Sequence, residues 1–264
     1  MDMFEYFGFF GEDRGSDRLL ETETEVIMKL FEKYLPPSGK VLDSSAGDGT
    51  FAFRLAEAGY EVTAGDFITD HVEAMKADPR ASSIKEFYCS SARNLSRFAD
   101  KSFDIVISLG SMYHMRARAE REAFFRESLR VLGDGGTFAF SYMTPFALTM
   151  GQFLRSVREE DPRARLREFR KMPNVEKTHV CDMFSGTTLE ELTEISREYG
   201  LEILTLAATY QLPYSMADDI GAFSDEEYDR FRHVQAATAE DPFVSRYAMR
   251  GLYIAKRKPE DMFD

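Results

Sequence analysis

The sequence is short of basic residues. It has 33 lysines and arginines against 46 aspartates and glutamates, which gives a formal net charge of −13 at pH 7 over 264 residues. Binding to nucleic-acid phosphates requires a basic surface, so the composition argues against nucleic acid as the main partner. Hydrophobic residues still make up 44% of the chain, enough for one large domain with a substantial core. The composition predicts a soluble, acidic, globular protein.

Cysteine is scarce as well. The two cysteines, Cys89 and Cys181, do not have the spacing of a metal-binding motif. Such a pair indicates reduced thiols and therefore a cytoplasmic location. His179 and Asp182 lie close to Cys181 in the sequence, but the three match no ligand spacing known for metal sites. We expect no metal at this cluster.

Neither a membrane span nor a secretion signal is predicted. Residues 135–154 carry no charge, but they include Pro145 and several polar side chains, which favours a buried strand that runs into a loop. Residues 1–15 contain acids and lack the basic segment of a signal peptide. The sequence also has no internal repeat and no low-complexity linker, so we predict one domain with an insertion.

Residues 40–59 organise the rest of the chain. They have the pattern of a short buried strand at 40–42, a turn at Gly47 and Gly49, and a helix at 50–58. Further strands are predicted at residues 60–64, 84–89, 103–109, 137–143, 201–211 and 247–256. Because strands alternate with helical segments, the sequence predicts an α/β fold with a seven-stranded, mostly parallel sheet and helices on both faces.

The glycine turn indicates a nucleotide-type ligand, because glycines let the backbone approach a ligand closely. Residues 47–52 fit the loose G-x-G-x-x-G/A pattern of dinucleotide-binding proteins, and Asp66 ends the second strand where a ribose-binding acid belongs. However, Asp43 directly follows the first strand, where its carboxylate would repel a pyrophosphate. A ligand that is cationic there and carries ribose hydroxyls further on fits better. S-adenosylmethionine (SAM) has both features.

At this point the chain resembles the class I SAM-dependent methyltransferases, most clearly over residues 41–143. The glycine motif of that family starts with an acid followed by three alternate glycines. Here it spans residues 43–49, with Ser45 in place of the first glycine. The resemblance implies a single domain of the family's fold with an antiparallel last strand. Its expected parts are an N-terminal helical cap (1–39), a SAM-binding core (40–144), a lid insertion (145–186) and a C-terminal part (187–264) with a helical insertion (213–246).

The same resemblance implies the cofactor contacts. Asp66 falls where the family binds both ribose hydroxyls, and Phe67 where an apolar residue stacks on adenine. Ser91 lies beside the adenine amino group, where the family often has an aspartate, and it could still bond that group. The Ser45 hydroxyl leaves less room beside the methionine part of SAM. The implied cofactor-binding residues are Asp43, Ser45, Ala46, Gly47, Gly49, Asp66, Phe67, Ser91, Ala92, Leu109 and Gly110.

The methyl acceptor is expected to meet residues that follow the fourth strand. His114 is the first candidate for a general base, because histidine can accept a proton near neutral pH. The alternative is that His114 packs and bonds a backbone group. Tyr113 is a second candidate, for orienting the acceptor. The aromatic N-terminal segment is either core or a lid whose arginines reach an anionic group. The residues assigned to the substrate are Tyr6, Arg14, Arg18, Tyr113 and Tyr210.

Two missing motifs narrow the reaction. The Asn/Asp-Pro-Pro-Tyr motif of base and glutamine-amide methylases is absent, and no Pro-Cys nucleophile follows the fourth strand. Together with the acidic composition, this favours methyl transfer to N or O of a small molecule by in-line displacement. Two alternatives stay open. One is a SAM-binding partner protein without transferase activity, and the other, less favoured, is a nucleotide-dependent dehydrogenase. A homodimer is compatible with the sequence.

Overall fold

The computed structural model describes residues 14–149, 184–211 and 217–258. The strands in these ranges are β1 (Lys40–Asp43), β2 (Glu61–Asp66), β3 (Glu86–Cys89), β4 (Phe103–Ser108), β5 (Leu132–Met143), β6 (Leu201–Tyr210) and β7 (Arg250–Arg257). The α-helices with defined bounds are α1 (Arg14–Tyr34), α2 (Thr50–Glu57), α3 (Thr69–Ala77), α4 (Arg118–Val131), α5 (Leu189–Glu198), α6 (Ala217–Gly221), α7 (Asp225–Thr238) and α8 (Pro242–Tyr247).

The seven strands form one sheet in the order β3-β2-β1-β4-β5-β7-β6. Each neighbouring pair from β3 to β5 is parallel, and the sheet as a whole is mostly parallel with one antiparallel strand. The chain first builds outward from β1 to β3 and then returns to place β4 on the other side of β1. This confirms the predicted α/β class.

Two compact units divide the chain. The first comprises Met1–Leu30, Tyr142–Leu189 and Leu206–Gly251, and the second comprises Phe31–Ser141, Glu190–Thr205 and Leu252–Asp264. The second unit contains β1 to β4 entirely, together with the glycine turn. The predicted division of the chain into cap, core, lid and C-terminal part stays a prediction.

Aromatic packing forms much of the core of the second unit. Phe124 and Phe125 of α4 contact Phe138 and Phe140 of β5, with ring centroids 5.5 to 6.0 Å apart. Tyr253 of β7 stacks on Phe140 at 4.6 Å. All five side chains are almost fully buried. Edge-to-face and stacked ring pairs add to the free energy gained by burying their area, so this cluster fixes the sheet on which the glycine turn is built.

Strand β5 begins five residues earlier than predicted. The sequence predicts a turn at residues 133–136 and a strand from 137, but the structure continues the strand from Leu132. The pairing of β5 with β4 shifts register between Phe103 and Ile105, so the glycine-rich residues form a bulge within the strand. A Cβ on Gly136 would lie 2.8 Å from the Asp104 carbonyl oxygen, which explains why glycine is needed there.

Two further boundaries differ from the prediction. Helix α1 is already formed at Arg14, the first described residue, and not only from residue 21, and its buried residues include Leu19. The last strand begins at Arg250 rather than at residue 247, because the preceding residues form α8. Asp241 caps that helix, accepting hydrogen bonds from the backbone N–H groups of the second and third helical residues, with proline at the first position.

Candidate cofactor site

The candidate site lies at β1, where the order of the strands switches. Strands β2 and β3 lie on one side of β1, and β4 lies on the other. Strand β1 pairs with β2 on one side and with β4 on the other. Because β1 and β4 are parallel, their carboxyl ends lie side by side at the point where the strand order switches. Open α/β sheets bind their ligands at such a switch point. Asp43 ends β1 at this edge, and Ser108 ends β4.

Backbone hydrogen bonds hold the turn after β1 between its two neighbours. The Ser44 N–H donates to the Ile107 carbonyl of β4 (2.9 Å), and the Ala46 N–H donates to the Gly65 carbonyl of β2 (2.9 Å). Gly49 then takes a left-handed conformation with φ of 85°. A Cβ at Gly49 would lie 2.6 Å from the Phe53 ring, so both the φ value and the packing require glycine.

Asp66 is held by the backbone on both of its oxygens. Its Oδ2 accepts from the Gly47 N–H (3.0 Å), and its Oδ1 accepts from the Ile68 N–H (2.9 Å). The residue is 5% exposed. A carboxylate offers about four acceptor positions, so Asp66 keeps capacity for further donors. It is fixed in place before any ligand arrives.

His71 is a neighbour of Asp66 that sequence reasoning missed. Its Nδ1 lies 3.3 Å from Asp66 Oδ1, and its side chain is 42% exposed. His71 is the third residue of α3, the helix that follows β2. The signal was available, since this histidine comes five positions after the acid at the start of a predicted helix. It could only be used once the loop geometry was known.

Asp43 has the opposite surroundings. It is 1% exposed, and its side chain accepts a hydrogen bond from the Ser45 N–H at 3.3 Å. Burial raises the pKa of Asp43 to about 7; the Ser45 bond lowers it, while the charges of Asp66 and Asp48 raise it further. A buried carboxyl of this kind favours a cationic partner, because a nearby positive charge stabilises its ionised form.

The hydroxyl of Ser45 does not stand free in the turn. Ser45 Oγ accepts from the Gly110 N–H (3.2 Å) and shares a hydrogen bond with Ser108 Oγ (3.0 Å). Ser108 Oγ in turn bonds Ser111 Oγ at 2.6 Å. We call Ser45, Ser108 and Ser111 the serine chain. It joins the turn after β1 to the loop after β4.

On the β2–β3 side, an aromatic ring faces solvent. Phe67, directly after Asp66, is 59% exposed, unlike most large apolar side chains in the described residues. Ala92 is buried and Ser91 is partly exposed. Ser91 Oγ accepts from the N–H (3.3 Å) and the Nε–H (3.2 Å) of Arg93. A hydroxyl has two lone pairs, so Ser91 is arranged to donate to a ligand rather than to accept from an amino group.

Comparisons with known proteins show which proteins this chain is similar to. A family described as a methyltransferase domain matches residues 42–140. The demethylmenaquinone methyltransferase of Corynebacterium urealyticum is 34% identical over 134 residues, which cover 50% of this chain and 51% of that protein. Methyltransferase GfsG of Streptomyces halstedii is 29% identical over 141 residues, which cover 52% of this chain and 49% of that protein. The chain thus spans about half the length of these curated relatives.

Residues 42–140 match a methyltransferase domain and resemble the class I SAM-dependent methyltransferases. SAM is the cofactor of that family. The fold of the whole chain also agrees with a solved structure from Thermotoga maritima, described as a SAM-dependent methyltransferase and possible histamine N-methyltransferase. That structure has a TM-score of 0.57 and 14% identity, and the match covers 96% of this chain and 95% of that one. At this identity the likeness supports the fold alone.

The acceptor-side candidates of the methyltransferase domain lie on one short turn. Residues Met112–His114 form a 3-10 helix after β4, and the His114 N–H donates to the Ser111 carbonyl (3.0 Å). Tyr113 is 8% exposed and His114 is half-buried, with their ring centroids 4.8 Å apart. The turn brings the two side chains together, a few residues after Gly110 in the sequence. Their assigned roles in binding the acceptor remain predictions.

The other predicted substrate residues belong to the first unit. Arg18 is 6% exposed, and its guanidinium donates to the carbonyls of Ile220 (3.2 Å) and Phe223 (2.6 Å) and to Asp225 (2.9 Å). These bonds stabilise the packing of α1, and we therefore do not carry Arg18 into the proposed acceptor site. Tyr210 is 3% exposed. Tyr6 and the side chain of Arg14 lie outside the described residues.

Metal and membrane features can be judged only for the described residues. Within 14–149, 184–211 and 217–258, no group of three or more His, Cys, Asp or Glu side chains is arranged to hold a metal ion. His179, Cys181 and Asp182 lie outside these ranges. Among the described helices, none has both the length and the apolar composition that crossing a membrane requires.

Proposed function

We propose that this protein transfers a methyl group from SAM to a nitrogen or oxygen of a small-molecule acceptor. The observation that carries the proposal is the pair of buried acids, Asp43 and Asp66, on the two sides of the glycine turn. SAM has positive charges at its sulfonium and amino groups, and two ribose hydroxyls further on. The two acids match these two ends of one ligand.

In this proposal Asp66 accepts hydrogen bonds from the ribose hydroxyls. Its orientation is already fixed by the N–H groups of Gly47 and Ile68. Binding therefore costs little side-chain conformational entropy. Phe67 supplies an exposed ring for stacking on adenine. Ser91 and Ala92 are proposed to lie beside adenine. The residues proposed to contact the methionine part of SAM or to lie beneath the cofactor are Asp43, Ser45, Ala46, Gly47, Gly49, Leu109 and Gly110.

Charge supports the placement of the amino-acid end at Asp43. The pKa of this buried carboxyl is raised to about 7. Ionising it without a partner is therefore costly, while a nearby ammonium or sulfonium lowers that cost. A pyrophosphate at the same place would add negative charge to a buried acid. Asp43 thus favours SAM over a dinucleotide.

Methyl transfer from a sulfonium needs alignment more than activation, because the donor already carries a good leaving group. We propose that His114 removes the acceptor proton where the nucleophile arrives protonated, and that Tyr113 orients the acceptor. A small-molecule acceptor is supported by the acidic composition. It is also supported by a curated relative, the demethylmenaquinone methyltransferase of Corynebacterium urealyticum, whose acceptor is a small molecule. We further infer a cytoplasmic location, which the free, exposed thiol of Cys89 supports.

The first test is calorimetric titration of the protein with SAM, S-adenosylhomocysteine and NAD. We expect the two adenosyl ligands to bind and NAD not to bind. Asp66→Ala should weaken SAM binding about 10- to 100-fold, because it removes a charged acceptor of two hydroxyls. Asp134→Ala is the matched control, since it removes the same charge from an exposed ion pair with Lys101. Binding of NAD alone, or equal SAM affinity in both variants, would contradict the site.

The second test addresses transfer itself. Amines, phenols and carboxylates are screened for SAM-dependent release of S-adenosylhomocysteine, and hits are repeated with His114→Ala. We expect turnover to fall in this variant while SAM affinity is kept. A protein that binds SAM but releases no product with any acceptor class, including a metabolite extract, would contradict the transferase proposal.

A further inference from the structure

The serine chain contains the residue at which this protein departs from its family. The glycine motif has Ser45 where the first glycine belongs. Instead of facing the ligand alone, the Ser45 hydroxyl accepts from the Gly110 N–H (3.2 Å) and bonds Ser108 (3.0 Å). These contacts join the carboxyl ends of β1 and β4 directly. The substitution therefore adds a polar link between the ends of these two strands.

Ser111 extends this link toward the acceptor side. It is the residue directly before the 3-10 turn Met112–His114, a position where a serine side chain often accepts from the turn's N–H groups. No such cap is formed here, and the Ser111 hydroxyl bonds Ser108 at 2.6 Å instead. The three hydroxyls thus form one network that begins at the Gly110 N–H.

Ser45 also contacts the buried acid. Its backbone N–H donates to Asp43 Oδ1 (3.3 Å), while its side chain holds the loop after β4. Among the described residues, nothing crowds Gly110. Of these residues, a Cβ there would meet only Ser45, at an ordinary 3.8 Å from its carbonyl oxygen. The open space above Gly110 is therefore compatible with a ligand, and Ser45 fixes the backbone that borders it.

We propose that Ser45 is a positioning residue for the amino-acid end of SAM, acting through the Gly110 N–H and the serine chain. This inference rests on the proposed function. The motif of the family that this chain resembles has a glycine at this position and therefore no side chain. Here the hydroxyl ties the turn at Asp43 to the loop that carries Tyr113 and His114, so the donor and acceptor sides are held by one network.

The test compares SAM with 5′-methylthioadenosine, which keeps adenine, ribose and sulfur but lacks the amino-acid part. Calorimetry is run on the wild-type protein, Ser45→Ala and Ser45→Thr. Ser45→Ala leaves the Gly110 N–H without its acceptor, and we expect SAM to bind about tenfold more weakly. Affinity for methylthioadenosine should change by less than about twofold. Ser45→Thr keeps the hydroxyl and should restore most of the SAM affinity.

Ser44→Ala is the matched control. Ser44 is equally close to the turn, but its hydroxyl donates to the Ile107 carbonyl (3.2 Å) outside the serine chain. We expect this variant to lower thermal stability without changing SAM affinity. If Ser45→Ala weakened the binding of both ligands equally, or left SAM binding unchanged, the inference would be overturned. The proposed function would still stand, provided that the wild-type protein binds SAM. A wild-type protein that does not bind SAM would overturn both.

Discussion

The carboxylates of Asp43 and Asp66 end neighbouring strands, yet their surroundings differ. Asp66 accepts from two backbone N–H groups at 2.9 and 3.0 Å, whereas among the described residues Asp43 accepts from the Ser45 N–H at 3.3 Å. Both residues are nearly inaccessible to solvent. One acid is therefore stabilised by the fold, and the other is buried at a cost that a cationic ligand can offset. The difference indicates which end of the ligand carries the charge.

In the largest expected effect, removing the charge of Asp43 and of Asp66 changes the free energy of unfolding in opposite directions. Asp43→Asn removes a carboxyl that is costly to ionise and should raise the free energy of unfolding of the unliganded protein at pH 8 by about 1 to 3 kcal/mol. Asp66→Asn breaks one of two good backbone contacts and should lower it by about 1 to 3 kcal/mol. Both variants should bind SAM about 10- to 100-fold more weakly.

Urea unfolding and calorimetry measure these two quantities on the same samples. Destabilisation by Asp43→Asn would show that Asp43 is satisfied by the fold itself, and the contrast with Asp66 would be lost. Unchanged SAM affinity in Asp43→Asn would remove this residue from the ligand's charged end.

The pH dependence should follow Asp43. Its pKa is about 7 in the folded protein against an ordinary value of 3.8. Because the folded state favours the protonated carboxyl of Asp43, its contribution to the free energy of unfolding is complete below about pH 4. This contribution is lost as the pH rises through 7. SAM affinity has the opposite trend, because the ionised form binds the cation. We expect SAM affinity to rise about tenfold from pH 5.5 to 7 in the wild type. In Asp43→Asn it should stay flat, and an equal rise in this variant would assign the titration to another group.

The smallest effect concerns the adenine end. Phe67→Ala should weaken SAM and adenosine binding to the same degree, by about fivefold, because a stacking ring is lost. The melting temperature of the unliganded protein should stay unchanged, since Phe67 is 59% exposed. A large drop in melting temperature would show that Phe67 is a packing residue rather than a ligand contact.

The sequence predicted the parts of the site that follow from local pattern. The strand before Asp43, the glycine turn and the acid at the end of β2 all lie where periodicity and turn chemistry indicated. The partners of Ser45 could not be predicted, because Ser108 and Gly110 lie more than sixty residues away and meet it only through the β1–β4 pairing.

The contacts of Arg18 could not be predicted from the sequence either. A sequence pattern cannot tell an arginine that meets a ligand from one that meets backbone carbonyls. The partners of Arg18 lie about two hundred residues away, so its bonds to Ile220 and Phe223 had no local signal. The extent of β5 was missed for a related reason, because its bulge depends on the register with β4.

The most direct test of the two-acid site is a crystal structure with S-adenosylhomocysteine bound. We expect both ribose hydroxyls within hydrogen-bond distance of Asp66, about 2.6 to 3.0 Å. The ligand's ammonium should lie within about 4 Å of the Asp43 carboxylate. A ligand whose ribose lies away from Asp66, or whose amino-acid end lies away from the turn after β1, would contradict the site.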